Sequence, residues 1–78
     1  MSVLRLAIPS PLRRHFDYLA PIGVSNAELV GLQPGIRLRV PFGRREVTGY
    51  LLAVCEDSDI PLSSLKHAVE ILDEAPLI

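Results

Sequence analysis

The run Arg37-Leu38-Arg39-Val40-Pro41-Phe42-Gly43-Arg44-Arg45 constrains the fold more tightly than any other part of the sequence. Leu38 and Val40 alternate with Arg37 and Arg39, a period of two that sends one face into a core and leaves guanidiniums in water. Such a segment is a half-buried strand, expected over Ile36 to Val40. Pro41 removes a ladder donor, Phe42 supplies an apolar anchor, and Gly43 permits a backbone geometry or a close approach that a Cβ would block. Residues 41–46 are therefore expected to form a hairpin tip. The returning strand, Glu46 to Glu56, holds Val47, Thr48, Tyr50, Leu51, Leu52, Ala53 and Val54, all strong strand formers, and Gly49 within it suggests a bulge or a tight bend. The four arginines around Gly43 have two readings, a solvated hairpin or a site for an anionic ligand.

The remaining segments are short and cut by turn residues. Ser2 to Ile8 reads as a first strand stopped by Pro9-Ser10-Pro11, and Phe16 to Ala20 as a second, ended by Pro21-Ile22-Gly23. One helical turn is predicted over residues 25–30, capped by Ser25 or Asn26 and ended by Gly31 and Pro34-Gly35. Ile60-Pro61 opens a second short helix, Leu62 to Lys66, with Leu62 and Leu65 on one face, and Ala68 to Leu72 is a last strand. The expected fold is mainly β: a small, partly open, OB-like β-barrel of five to six strands with one or two short helical turns. It spans 1–72 as a single domain, and 73–78 begin a linker to further domains.

At 78 residues the chain has no room for a catalytic core beside a cofactor domain, so a single binding module is expected. Charge is unevenly placed. Residues 1–45 carry seven arginines against Asp17 and Glu28, whereas 46–78 carry Lys66 against seven acids. A localised contact with phosphates fits this better than coating of nucleic acid. Cys55 is the single cysteine, which excludes an intramolecular disulfide and suits a reducing cytoplasm. No stretch approaches the roughly 20 apolar residues of a membrane span. A phosphate loop and a Cys-x-x-Cys pair are absent from the sequence, and His15 and His67 lack a second set of ligands, so neither enzymatic activity nor a metal site is expected.

Two places carry binding chemistry. In His15-Phe16-Asp17-Tyr18 a strand would send Phe16 and Tyr18 to one face and Asp17 to the other. Asp17 is then either a surface acid paired with Arg13, Arg14 or another arginine, or an acceptor for a ligand hydroxyl beside cations that hold the same ligand's phosphate. Lys66 is either a solvated lysine at a helix end or a point charge for a phosphate.

Five ordered blocks carry a resemblance: Pro9 to Leu12, Phe16 to Leu19, Gly35 to Gly43, Thr48 to Tyr50 and Pro61 to Lys66. Together they resemble the amino-terminal 3'-end-binding domain of the PriA family of primosomal replication-restart helicases, over essentially the whole chain. The resemblance implies a non-catalytic pocket for the 3'-hydroxyl end of a nascent leading strand at a stalled fork. It implies that Asp17 accepts a hydrogen bond from the hydroxyl or a base edge. Phe16 and Tyr18 would shape the pocket, Gly43 would offer backbone and Lys66 would approach a phosphate. It places the ATP-dependent 3'-5' helicase motor, with its ATP, Mg and Zn, in downstream domains, which become partners of this module alongside DNA. A cytoplasmic monomer without membrane contact is expected. The Ser25 to Leu32 segment looks longer than the family's usual link, so the loop near the pocket is expected to differ. A competing reading is a β-barrel that serves as a docking platform for protein.

Overall fold

A computed structural model describes residues 2–10 and 14–73, with residues 26 and 30 described by their main chain only. Five strands form one sheet in the order β2-β1-β4-β3-β5: β1 Val3–Ala7, β2 His15–Leu19, β3 Arg37–Phe42, β4 Arg45–Cys55 and β5 Glu70–Ile71. Each named pair is antiparallel. The sheet curls until its two ends meet. Leu19 pairs in parallel with His67, just ahead of β5, through Leu19 N to Lys66 O and Ala68 N to Leu19 O, both 2.8 Å. This is the small, partly open barrel expected.

Alternation sets which side chains fill it. Leu4 and Leu6 of β1, Tyr18 of β2, Leu38 and Val40 of β3, and Leu51 of β4 point inward and are buried, joined by Ile36, Leu29 and Ala68. Burying one Leu or Val contributes about 1.5 to 3 kcal/mol. An exposed ion pair gives at most about 1 kcal/mol, so the apolar face, rather than the arginines between, decides the placement of β3. The helix α1, Asn26–Val30, adds Leu29 to this core. Its N-cap is Ser25, whose Oγ accepts from Glu28 N at 3.3 Å.

Several details depart from the sequence reading. Strand β3 runs through Pro41 to Phe42, and the hairpin tip narrows to Gly43-Arg44, with Phe42 opposite Arg45. Proline survives there because carbonyls at alternate residues face away from β4: Arg37 O receives Leu72 N at 2.9 Å, Arg39 O receives Val69 N at 2.8 Å, and Pro41 O receives the Tyr18 hydroxyl at 2.8 Å. The missing N–H of Pro41 lies on that outer edge, where β4 does not need it. The bulge falls at Leu52 rather than at Gly49, since Leu6 faces Leu51 while Arg5 faces Ala53. Gly49 serves close approach instead, for a Cβ there would sit 3.1 Å from Ala7 O.

The second helix is a 3-10 turn of three residues, Leu62–Ser64, whose Leu62 is exposed while Leu65 is buried, so the two do not share an inward face. Asp73 belongs to the barrel: Arg37 N, Nε and a terminal nitrogen donate to its carboxylate at 2.9, 3.0 and 3.0 Å. Residues 74–78 of the expected linker lie outside the described residues. The basic and acidic parts of the sequence interleave through this pair and through Arg39–Glu70, which face each other across β3 and β5.

Candidate functional site

A cleft of about 300 Å³ opens at the barrel rim, between β2, the end of β3 and the segment that follows the 3-10 turn. Phe16, Asp17, Tyr18, Gly43 and Lys66, the five residues proposed from sequence, all line it. They come from three separate parts of the chain. Barrel curvature brings them together, because β2 and β3 lie apart in the sheet order and meet only as the sheet rolls up.

The aromatic residues build floor and wall. Tyr18 points into the core and its hydroxyl crosses to Pro41 O, while burial pushes its phenol pKa up. Phe16 meets Phe42 edge-on, with ring centroids 5.0 Å apart and planes at 90°. The Arg14 guanidinium lies over the Phe16 ring, 4.7 Å from its centroid.

Asp17 stands opposite Arg5 in the β1–β2 register. Arg5 Nε donates to Asp17 Oδ1 at 3.1 Å and a terminal nitrogen reaches Oδ2 at 3.5 Å. The Ser58 hydroxyl donates to Oδ2 as well, and it accepts from Ile60 N at 3.2 Å. Burial pushes the Asp17 pKa up, but the hydrogen bonds from Arg5 and Ser58 and the charge of Arg5 outweigh it and hold the carboxyl below its usual range. The partner is thus Arg5 rather than Arg14; Arg13 lies outside the described residues. The same network draws the loop after β4 across β2 and sets Ile60 into the cleft wall.

Gly43 is the first residue of the two-residue turn and has φ +64°. A positive φ there, with none at Arg44, has the sign pattern of a type II′ hairpin, which requires glycine at that position. Nothing lies within 4 Å of where its Cβ would be, so conformation and not crowding demands glycine. Lys66 gives its carbonyl to the barrel closure and leaves its side chain to the cleft.

Sequence reasoning did not assign Arg14, Ile60, Ser64 and Leu65 to this site, although all four line it. Arg14 was legible as a cation next to Phe16; the others are ordinary loop residues until the chain closes. The Ser25 to Leu32 segment does not line this cleft, and its helix α1 packs Leu29 into the core. The described residues contain no helix long and apolar enough to cross a membrane.

The family model for the PriA 3'DNA-binding domain (3'BD) matches residues 5–78. The replication restart protein PriA of Haemophilus influenzae is 39% identical over 77 residues, covering 99% of this chain and 10% of that protein. The replication restart protein PriA of Bacillus subtilis is 35% identical over 65 residues, covering 83% of this chain and 8% of that protein. The chain therefore spans about a tenth of the length of these relatives.

Proposed function

Because the chain belongs to the family of PriA 3'DNA-binding domains, and is a DNA-binding module of replication restart, we propose that its rim cleft receives the 3'-hydroxyl end of a DNA strand. The strand is the nascent leading strand at a stalled fork, and the module directs a replication-restart helicase to it. One observation carries this reading: an acceptor, two cations without an ion-pair partner among the described residues, and an aromatic wall converge on a cleft of about 300 Å³. That volume is at the lower end for small-ligand sites, so it suits one terminal nucleotide and not a run of them.

The chemistry follows from the occupied positions. A carboxylate has about four acceptor positions; Arg5 and Ser58 take three on Asp17, leaving one on Oδ1 for a hydroxyl or a base edge. Lys66 supplies positive charge for the adjoining phosphate. A 3'-phosphate would bring about −1.5 to −2 charges against Asp17, and a continuing strand would meet the floor formed by Tyr18 and Leu65. Base identity matters little in this scheme, since phosphate and hydroxyl are common to all ends. ATP-driven 3'-5' unwinding, with its ATP, Mg and Zn, belongs to parts of the protein outside these residues, and the module acts in the cytoplasm as a monomer joined to them.

Fluorescent oligonucleotides that end in a 3'-hydroxyl or a 3'-phosphate and are otherwise identical test the proposal. Tighter binding of the hydroxyl end is expected; equal affinity, or no binding, would overturn it. A docking role toward protein is favoured by Tyr50, Leu52 and Val54, exposed in a row on β4. None of the three lines the cleft, so Leu52→Ser would leave oligonucleotide affinity unchanged while weakening any protein contact.

A further inference from the structure

Among the described residues the cations divide into two groups. Arg5, Arg37 and Arg39 are ion-paired, with Asp17, Asp73 and Glu70. Arg14, Arg44, Arg45 and Lys66 form no such pair, and all four lie in or beside the cleft: two line it, and two follow Gly43 in the chain. Of these four, Arg14 is the one held in position by an aromatic ring. Its guanidinium lies over Phe16, and Phe16 is braced in turn by the edge-on contact with Phe42. The ring contact leaves N–H donors of the guanidinium that no hydrogen bond or ion pair among the described residues takes up, and these are available for an oxyanion.

Neighbouring charge decides on which side an anion would sit. Arg14 lines the cleft and also a smaller recess of about 210 Å³, which shares Phe16, Asp17 and Ile60 with it. Asp59 lines the recess but not the cleft. Asp17 lines both and so does not distinguish them, which leaves Asp59 as the difference. The cleft side of Arg14 is therefore the side that favours a phosphate.

We infer that Arg14 is a ligand-binding residue of this cleft, whose guanidinium edge clamps the last internucleotide phosphate of the bound strand. The inference rests on the 3'-end reading and adds to it a contact that positions the terminal nucleotide. Lysine cannot substitute fully, because an ammonium lacks both the planar face for Phe16 and the forked donors.

The test uses 3'-hydroxyl oligonucleotides whose last linkage is either a phosphodiester or a neutral methylphosphonate, with the wild-type chain, Arg14→Gln and Arg14→Lys. Wild type should bind the methylphosphonate about ten- to a hundredfold more weakly, the range for a hydrogen bond to a charged group. Arg14→Gln should lose a similar factor on the phosphodiester and almost nothing further on the methylphosphonate. Arg14→Lys should fall between. Equal losses on both oligonucleotides would mean that Arg14 merely supports Phe16, and an unchanged phosphodiester affinity would mean that it does not touch the strand; either result overturns the inference. The comparison of 3'-hydroxyl with 3'-phosphate on wild type keeps the two ideas apart. Loss of that preference overturns the 3'-end reading, whereas the linkage experiment alone decides the role of Arg14.

Discussion

The Tyr18 hydroxyl lies 2.8 Å from the main-chain carbonyl of Pro41, joining β2 to β3 across the floor of the cleft although the two strands are not neighbours in the sheet. It gives an outward-facing carbonyl of β3 a partner beyond the point where β5 stops pairing. The bond also fixes the distance between the Phe16 wall and the Gly43 turn, so the shape of the site depends on it.

Tyr18→Phe keeps the ring in the core and removes this bond. The variant should unfold about 1 to 2 kcal/mol more easily, since the carbonyl loses its partner in a partly buried place. Chemical denaturation monitored by circular dichroism reads this directly. An unchanged midpoint would show that water replaces the hydroxyl at no cost.

Asp17 links stability to pH. Its folded-state pKa is lowered, so the unfolded chain takes up a proton first and acid favours unfolding. The stabilising contribution is therefore fully present above about pH 4, the ordinary aspartate range, and fades as pH falls through the lowered folded-state value. Asp17→Asn should be less stable than wild type at neutral pH, and the two should converge at low pH in denaturation curves taken along a pH series. A gap that persists in acid would mean that the carboxylate charge is not what Arg5 and Ser58 recognise.

Two glycines should respond to alanine for different reasons. Gly49→Ala places a methyl 3.1 Å from Ala7 O and 3.3 Å from Ile8 Cγ1, so β1 and β4 must move apart, at about 1 to 3 kcal/mol. Gly43→Ala meets open space but must hold φ near +64°, which costs about 1 to 2 kcal/mol. Thermal melts measure both. Only Gly43→Ala should also weaken oligonucleotide binding, because Gly43 lines the cleft and Gly49 does not.

Lys66→Ala should leave the fold intact, since the barrel uses the Lys66 carbonyl and not its side chain. DNA affinity should fall for 3'-hydroxyl and 3'-phosphate ends alike. The slope of log affinity against log salt should also decrease by about one phosphate contact, roughly 0.7 for a single strand. Fluorescence anisotropy over a salt series checks this, and an unaltered slope would remove Lys66 from the phosphate path.

Local chemistry made a good part of this protein legible. The alternation of Leu38 and Val40 with arginines placed β3, the β-branched and aromatic content of residues 46–56 placed β4, and the cap of α1 was narrowed to Ser25 or Asn26, of which the structure takes Ser25. Each signal lies within a few residues, where steric and hydrogen-bonding preferences act directly. The parity of β2 likewise separated Phe16 and Tyr18 from Asp17. Pro41 misled for the same reason: a missing N–H argues for a strand end unless the edge it faces is known.

By itself, then, the sequence determined a set of short strands, a hairpin centred on Gly43 and a handful of residues with binding chemistry. Tertiary structure alone decided that Arg5 answers Asp17, that Ser58 ties Ile60 into the wall, that the bulge falls at Leu52, and that Leu19 meets His67 to close the barrel. The division has one physical cause. Spacing along a strand fixes which face a side chain takes, but register between strands and the curl of a sheet arise from core packing summed over the whole chain, and the cleft exists only where that curl brings distant strands together.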